Sequence, residues 1–347
     1  GLGDVYKRQM YRAGLVGCGN IGKLHAEILH GMENVELVGV CDVNIQKAEE
    51  YAQKYGSNNA GIYTSLDEML EETKLDVLHI CLPHYLHVKA AETAIENGVN
   101  VFMEKPPALT KDEFQTLKKK VQETKLSVGV CFQNRYNESV LEACSILKSG
   151  SMGKIKGARA FVTWSRDTDY YTRDRWHGSK STEGGGVLIN QAIHTLDLLT
   201  QFMGKPLKVE AEVKNYHLKS VIDVEDTVES YIEFENGPAC FFATNAYVED
   251  APVLLEIVCE KGKIRLEGNE LFVMRKNETK VRYHYEEKPC LGKAYWGSSH
   301  GKCISDYYAC LESRKKYQND LESTEKVFLL TMDIYESAGT DSVVRCR

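Results

Sequence analysis

The sequence predicts a two-domain protein: an N-terminal α/β domain with a doubly wound parallel sheet, followed by a C-terminal α+β domain with an open, largely antiparallel sheet. The chain has 347 residues, and at roughly 100 to 200 residues per domain this length favours two domains. Residues 12–131 alternate short β-rich apolar runs with amphipathic helical stretches, which indicates β-α-β units. Residues 154–274 carry longer alternating segments joined by turn signals, which indicates hairpins.

The first domain is expected to span residues 10–133 and to contain six parallel strands. The apolar runs lie at 13–17, 35–41, 62–64, 76–82, 99–103 and 126–132, with helical stretches between them. This alternation suits a doubly wound sheet. The first nine residues match no element pattern, so we expect them to be a non-native extension, with the native chain beginning at Met10.

The second domain is expected to span residues 134–347. Its strands are predicted within 154–164, 208–218, 226–248 and 254–274, with hairpin turns at Asn236-Gly237, Lys261-Gly262 and Gly268-Asn269. A helix over 186–204 interrupts the strands, and further helices are predicted at 138–148, 304–315 and 324–338.

Composition favours a small-molecule partner. The net charge of -7 leaves no basic field for a phosphate backbone, so nucleic-acid binding is not expected. No apolar run approaches the roughly 18 residues that a membrane span needs, and with no signal pattern we expect a cytoplasmic protein. The eleven cysteines contain no C-x-x-C pair. Those in apolar runs are expected to be buried, reduced thiols: Cys41, Cys81, Cys131, Cys240 and Cys259.

A G-x-G-x-x-G motif follows the first predicted strand and opens a helix, the context in which this motif indicates a dinucleotide cradle. The residues expected to hold the cofactor there are Gly17, Gly19, Asn20, Ile21 and Gly22. Asp42 ends the second strand, 20 residues after Gly22, where a carboxylate can bind the ribose 2′-hydroxyl and repel a 2′-phosphate. We therefore expect NAD in preference to NADP, although Lys47 keeps NADP open. The alternative is a glycine-rich turn without a ligand.

Glu104-Lys105-Pro106 ends the fifth predicted strand, at the carboxyl edge where open α/β sheets place their ligand crevice. An ammonium at this edge can donate to a substrate hydroxyl and stabilise the alkoxide as it forms. Partial burial would lower its pKa toward the working range. The alternative is that Lys105 is a solvated residue at a strand end, with Glu104 as its surface partner.

A polar stripe follows the predicted helix after Gly184-Gly185-Gly186. Asn190, His194 and Asp197 lie at i, i+4 and i+7, so they share one side of an otherwise apolar helix that faces a wet cavity or a buried polar network. His194 is a candidate general base for a carbinol proton. A satisfied core histidine is the alternative reading of this residue.

Aromatic and polar residues crowd the segment before this helix. They are Trp164, Arg166, Asp169, Tyr170, Tyr171, Arg173, Trp176 and His177. Aromatic faces with hydrogen-bonding tips suit a sugar or cyclitol ring, and Tyr171 and Trp176 are our candidates to bind it. A loop that packs its own aromatic side chains is the alternative. At the domain junction, Arg135 and Tyr136 are further candidates for substrate contact.

Histidine and cysteine residues also cluster around the fourth predicted strand. They are His79, Cys81, His84 and His87. The first two lie within the strand and the others follow a proline in a loop, a spacing that does not fit a zinc site, so no metal is expected.

Taken together and in this order, five motifs resemble the glucose-fructose oxidoreductase, inositol dehydrogenase and MocA family from Met10 to about Ser337. The motifs are GCGNIG, CLPHYLH, FMEKP, FQNRYN and GGGVLINQAIHTLDLL. The resemblance implies a Rossmann domain, and a C-terminal sheet through which the chain forms a homodimer or homotetramer. It further implies NAD(P)-dependent redox chemistry on a secondary hydroxyl of a sugar, an inositol or a related polyol.

The resemblance also implies roles for single residues. It makes Lys105 and His194 catalytic and adds four cofactor contacts beside Lys105: Leu82, Pro83, His87 and Glu104. The position four residues before the histidine is often Asp in this family and here is Asn190. Because Asn cannot take a proton, a Lys-Asp-His triad is not intact, and we expect Asn190 to orient the substrate.

Two other functions stay open at this stage. One is a redox-assisted glycoside hydrolase in which NAD remains bound while transient oxidation labilises a glycosidic bond. The other is a non-catalytic NAD-binding regulator on the same scaffold, against which the presence of both Lys105 and His194 argues.

Overall fold

A six-stranded parallel sheet forms the first half of the molecule. The computed structural model describes residues 9–346 except Arg175, Val248, Asp250 and 286–298, so the predicted extension lies outside the described residues apart from Gln9. The strand order is β3-β2-β1-β4-β5-β6, a doubly wound order, so the six-stranded doubly wound parallel sheet that the sequence predicts is confirmed. The strands are β1 Tyr11–Val16, β2 Val35–Cys41, β3 Gly61–Tyr63, β4 Val77–Ile80, β5 Asn100–Met103 and β6 Val128–Val130.

Helices connect these strands and cover the faces of the sheet. They are α1 Asn20–His30, α2 Ile45–Tyr55, α3 Leu66–Glu72, α4 His87–Glu96 and α5 Lys111–Gln122. Local capping sets several of their starts. Thr110 forms a capping box with Glu113 at the start of α5, and the Asn44 side chain accepts from the first-turn amides of α2.

A nine-stranded, largely antiparallel sheet forms the second half, in the order β14-β13-β12-β11-β7-β10-β9-β8-β15. Its strands are β7 Ile155–Thr163, β8 Pro206–Lys214, β9 Thr227–Phe234, β10 Gly237–Thr244, β11 Leu254–Cys259, β12 Gly262–Glu267, β13 Glu270–Arg275, β14 Val281–His284 and β15 Val344–Arg345. The three predicted hairpin turns are confirmed. Two features were not predicted: the parallel pairing of β7 with β10, and the short edge strands β14 and β15.

Helices of the second half join the two sheets. They are α6 Glu138–Lys148, α7 Thr168–Arg173, α8 Ile193–Met203, α9 His300–Ser313 and α10 Glu325–Thr340. Phe328 of α10 stacks on Phe114 of α5 with ring centroids 4.7 Å apart. In α9, the Tyr307 hydroxyl donates to the Ser127 carbonyl, so this late helix packs on the first sheet. The domain boundary at residue 133 stays a prediction. We propose that the two domains divide there and that α9, which belongs to the second, packs against the first.

One burial prediction was wrong. Cys240 is exposed, whereas Cys41, Cys81, Cys131 and Cys259 are buried as expected. Successive side chains of a strand face opposite sides of the sheet, and Cys240 falls on the side of β10 that faces away from the core. Among the described residues, the helices are too short or too polar to span a membrane.

Candidate active site

The carboxyl ends of four parallel strands bring the main predicted residues to one edge of the first sheet. Gly17, Asp42, Leu82 and Lys105 follow β1, β2, β4 and β5 within two residues of the strand ends. Backbone bonds align these ends, because the Gly17 amide donates to the Cys41 carbonyl at 2.9 Å and the Glu104 amide donates to the Ile80 carbonyl at 3.0 Å. Helix α8 lies against this edge, so residues from both halves of the chain meet there.

The glycine motif forms a close-packed turn that opens onto free space. Gly17 has a φ of +97°, and a Cβ there would lie 2.4 Å from the Cys81 carbonyl oxygen. A Cβ on Gly22 would lie 2.0 Å from the Gly17 carbonyl oxygen, so these two positions need glycine for packing. A Cβ on Gly19 would meet nothing within 4 Å. Gly19 begins α1 without a side-chain cap, so the amides at this helix N-terminus suit an anionic group such as a pyrophosphate.

Asp42 fixes the shape of this turn. Its Oδ2 accepts from the Cys18 amide at 2.7 Å, and its Oδ1 accepts from the Asn44 amide at 2.8 Å. Each carboxylate oxygen can accept a second bond, and the side chain is only half-buried. Asp42 can therefore hold the turn and still accept a ribose hydroxyl.

Lys105 is bound to the helix of the other domain. Its Nζ donates to the Asn190 carbonyl at 2.8 Å and to the Asn190 Oδ1 at 3.0 Å. Asn190 lies in a turn of π-helix, Leu188–Ala192, that leads into α8. Single π turns are frequent at functional sites because they widen a helix locally. Burial lowers the pKa of Lys105, while nearby Glu104 and Glu183 oppose that shift.

His194 follows one turn later. Burial, and then the charge of Lys105, lower the pKa of His194 to about 3. The ring contacts Phe132 edge to face, and within the described residues its buried Nδ1 has no hydrogen-bond partner. An unpartnered polar atom in the interior is costly, so this atom fits a site completed by a ligand or by water.

Glu183 is a site residue that the sequence analysis missed. Its carboxylate accepts from the Asn190 Nδ2 and, at 2.5 Å, from the Gly178 amide. His84 donates from Nδ1 to the Glu183 carbonyl at 2.8 Å, and the His84 ring lies 4.8 Å from the Trp176 ring. Trp176 therefore lies beside Glu183 and His84, and its contact with substrate stays a prediction. The only sequence signal for Glu183 was its position directly before the three glycines.

Two predicted cofactor contacts face the interior. The Glu104 carboxylate accepts from the His25 Nε2 at 3.1 Å. His25 and His79 meet through their Nδ1 atoms at 3.0 Å, and the His79 Nε2 lies 2.9 Å from the Tyr308 hydroxyl. His87 has its two ring nitrogens 2.8 Å from the carbonyls of Pro106 and Leu82. Both side chains are buried, so they hold loops together and do not line the crevice.

A possible metal cluster lies in the same interior network. The ligand atoms of His25, Glu104 and Cys131 lie within 4.8 Å of one another. Burial raises the pKa of the free Cys131 thiol well above its usual value. Because His25 and Glu104 already bond to each other, we assign no metal to these residues.

Arg135 and Tyr136 were predicted to reach substrate, and the structure places them elsewhere. Arg135 forms a bidentate, buried ion pair with Asp197, at 2.5 and 2.7 Å. A third guanidinium nitrogen donates to the Gln318 carbonyl at 3.1 Å. The Tyr136 hydroxyl donates to Asp306 on α9 at 2.7 Å. These residues connect to α8 and α9 at the domain junction. A buried guanidinium requires a charged partner, and Arg135 is held by Asp197 instead of facing the crevice.

Tyr171 also lies behind the site. Its ring packs with Leu218, Ile222 and Val224, and its hydroxyl accepts from the Asn245 Nδ2 at 2.9 Å. The side chain is 4% exposed. Tyr171 therefore fits the alternative interpretation, in which the segment packs its own aromatic side chains and does not bind a sugar ring with them.

The fold and site define an α/β protein with a dinucleotide cradle and a half-buried amine at the same edge of the first sheet. A family model described as the oxidoreductase family with an NAD-binding Rossmann fold matches residues 11–132. A second model, the GFO/IDH/MocA C-terminal domain, matches residues 140–265. The chain belongs to the GFO/IDH/MocA oxidoreductase family.

Relatives of known activity and structure agree with this assignment. The chain is 27% identical to D-glucoside 3-dehydrogenase of Escherichia coli (strain K12), over 67% of this chain and 70% of that protein. It is 25% identical to glucose-6-phosphate 3-dehydrogenase of Bacillus subtilis (strain 168), over 74% of each chain. The crystal structure of the WlbA dehydrogenase from Bordetella pertussis in complex with NADH and UDP-GlcNAcA matches with a TM-score of 0.85 and 26% identity, over 98% of this chain and 99% of that one.

Proposed function

We propose that this protein is an NAD-dependent dehydrogenase that oxidises a secondary hydroxyl of a sugar, an inositol or a related polyol. The observation that carries the proposal is the pair of bonds from the Lys105 Nζ to Asn190. They place a half-buried amine from the cofactor domain against the helix that carries His194. When bound, NAD supplies the hydride acceptor for the carbinol hydrogen.

Lys105 is suited to move the hydroxyl proton. A neutral amine has two N–H donors and one lone pair, and both donors are used by the two oxygens of Asn190. The lone pair is then directed to a third partner, which we assign to the substrate hydroxyl. In oxidation the amine accepts that proton as the carbon–oxygen double bond forms, and in reduction the ammonium returns it.

His194 is suited to orient the same hydroxyl. An imidazole with a pKa of about 3 is neutral at physiological pH and is a weak proton acceptor. We therefore assign proton transfer to Lys105 and hydrogen bonding to His194, which revises the sequence-based assignment of His194 as the base. We assign Asn190 to orient the lysine, whereas the sequence-based expectation was that it orients the substrate.

The cofactor and substrate class follow from the residues around the crevice. The Asp42 carboxylate beside the glycine turn supports NAD over a cofactor with a 2′-phosphate. Trp176 offers an aromatic face next to His84 and Glu183, which suits the CH face of a sugar ring. The names of the glucoside and glucose-6-phosphate 3-dehydrogenases support pyranosides as the first compounds to try.

The direct test is a substrate screen. Purified protein with NAD⁺ is mixed with inositols, hexoses, glucosides and anhydrosugars, and NADH absorbance is followed. We expect formation of NADH with at least one polyol and none with a matched deoxy compound. Glycoside cleavage without net NADH would indicate the hydrolase instead, and binding of NADH with no turnover on any compound would indicate the regulator.

We also propose a homodimer or homotetramer formed through the outer face of the second sheet. On this face Phe161, Tyr231 and Val258 are 36%, 53% and 41% exposed, and their strands are neighbours in the sheet, so they lie together on one side of it. Grouped exposed apolar side chains favour a protein interface. Light scattering is expected to give a multiple of the chain mass, and a Tyr231→Asp, Phe161→Asp variant is expected to be monomeric. A monomeric parent protein would exclude the proposal.

A cytoplasmic location stays a proposal from sequence. The described cysteines are free thiols, which agrees with a reducing compartment. Localisation of a fluorescent fusion would test it.

A further inference from the structure

A buried carboxylate lies on the far side of Asn190 from Lys105. Glu183 is 1% exposed. Its Oε1 accepts from the Asn190 Nδ2 and lies 3.3 Å from the His177 Nδ1, and its Oε2 accepts from the Gly178 amide at 2.5 Å. Three donors thus converge on this carboxylate, and one of them is the residue that binds the Lys105 amine.

The charges on either side fix the orientation of the Asn190 amide. The Lys105 Nζ is a donor and requires the Oδ1, while the Glu183 carboxylate accepts only and requires the Nδ2. The opposite orientation would set donor against donor and acceptor against acceptor. The amide therefore links the lysine to the carboxylate in one arrangement.

The backbone around Glu183 is tied to the cofactor domain. His84 donates to the Glu183 carbonyl at 2.8 Å, and the Tyr85 amide donates to the Thr182 carbonyl at 3.2 Å. These bonds come from the loop after β4, next to the loop that carries Lys105. The distance between carboxylate and amine is thus set by contacts on both sides of the crevice.

We propose that Glu183 is a positioning residue that acts through the Asn190 amide and places behind the Lys105 amine the negative charge that Asn190 itself lacks. This inference rests on the proposed function, in which Lys105 transfers the hydroxyl proton. It assigns to Glu183 two effects on Lys105: it holds the partner amide in place, and it stabilises the ammonium form.

Other titratable groups face Lys105 and act in different ways. They are Glu104, Cys131, His84, His87 and His194. Burial lowers the pKa of His84 and His194 and raises the pKa of Cys131, so these three groups are uncharged near pH 7. Burial also lowers the pKa of His87, whose two ring nitrogens lie against the Pro106 and Leu82 carbonyls. The Glu104 carboxylate is bonded to His25 and faces the interior. Glu183 is the carboxylate that touches the Asn190–Lys105 link.

The test is the pH dependence of kcat for alcohol oxidation in Glu183→Gln. Glutamine keeps an oxygen that accepts from Asn190 but removes the charge. Because the ammonium form of Lys105 loses stabilisation, the limb on which the rate rises with pH is expected to move to lower pH. The 13Cε resonance of Lys105 in the lysine-labelled protein, assigned by its loss in Lys105→Arg, is expected to titrate at lower pH in the same variant without cofactor.

Two further variants separate positioning from loss of structure. Glu225 is another buried carboxylate, beside the three glycines that follow Glu183, and it accepts from the Gly186 amide and the Tyr335 hydroxyl, both at 2.9 Å. Glu225→Gln is expected to lower thermal stability and leave the pH limb in place. Asn190→Asp added to Glu183→Gln returns a carboxylate to the link and is expected to move the limb back to higher pH.

The outcomes distinguish this inference from the proposed function. If the parent protein oxidises alcohols and neither the limb nor the Lys105 resonance moves in Glu183→Gln, the inference is overturned. If the parent protein oxidises none of the compounds screened, the proposed function fails, and the resonance still reports whether Glu183 acts on the amine. If Glu183→Gln does not fold, Asn190→Asp alone tests the link, with an expected shift of the Lys105 titration to higher pH.

Discussion

The cofactor cradle and the catalytic link are built in different ways, although they share one sheet edge. The cradle consists of one continuous turn, Gly17–Gly22, supported by Asp42, and local rules of strand, turn and helix determine it. The link from Lys105 through Asn190 to Glu183 joins residues 85 positions apart in the chain. The local sequence pattern could therefore both locate the cradle and explain its structure. For the link it could only indicate Lys105 and Asn190 as separate candidates, without showing that they are in contact. The predictions below test this contrast.

Lys105→Arg should have the largest effect, because the guanidinium keeps the positive charge but is always protonated and cannot accept the hydroxyl proton. We expect kcat for alcohol oxidation to fall by roughly 10³-fold, with NADH binding, measured by fluorescence, nearly unchanged. Retention of a large fraction of kcat would mean that Lys105 does not transfer the proton.

Arg135→Met should affect stability and not chemistry. Removal of the guanidinium leaves Asp197 charged and buried, a loss of roughly 3 to 5 kcal/mol in the free energy of unfolding. Denaturant melts measure this loss, and KM for substrate measured on folded protein is expected to stay near the parent value. A large rise in KM without loss of stability would return Arg135 to the substrate site.

His194→Asn should reduce kcat by about 10²- to 10³-fold, the range expected for a lost hydrogen-bond donor at the reacting oxygen. Because the pKa of His194 is about 3, the imidazole is neutral across the assay range, and the pH limb is expected to stay in place. The measurement is kcat against pH from 5 to 10. Disappearance of a limb near pH 6 to 7 in the variant would show that the imidazole titrates during turnover.

A pair of glycine variants separates packing from cofactor approach in the cradle. Gly22→Ala should lower both the melting temperature and NADH affinity, because its Cβ would meet the Gly17 carbonyl at 2.0 Å. Gly19→Ala has open space, so its melting temperature should match the parent, while NADH affinity drops about tenfold, or about 1.4 kcal/mol. Parent-like NADH affinity in Gly19→Ala would place the pyrophosphate elsewhere.

Asp42→Ser should give the smallest effect, a shift of cofactor preference toward NADP by about tenfold in the ratio of kcat/KM values. The exposed Lys47 offers a matched control. Lys47→Ala should leave kcat/KM for NAD unchanged and reduce the gain for NADP in the Asp42→Ser background. An unchanged cofactor ratio in Asp42→Ser would remove Asp42 from the ribose site.

Most of the fold and part of the candidate site were predictable from the sequence. The six parallel strands and the main hairpins were predictable because alternation of apolar residues, glycine turns and caps act over a few residues. Edge strand β15 was not predictable, since its pairing with β8, remote in the chain, and not its own composition, makes it a strand. Strand β14 pairs with the adjacent β13, but its residues are exposed on both faces, so it lacks the apolar alternation that predicts a strand. The same reason explains Arg135, whose buried partner lies 62 positions further along the chain.

By itself the sequence determined the glycine turn with Asp42, the lysine at the end of β5, and the helix that carries Asn190 and His194. These features arise from spacing along one strand or helix. Only the tertiary structure decided that Glu104 and His87 face the interior, that Arg135 pairs with Asp197, and that Glu183 stands behind Asn190. The physical reason is that a polar side chain is placed by the partner that satisfies it, and in a buried site that partner is usually remote in sequence.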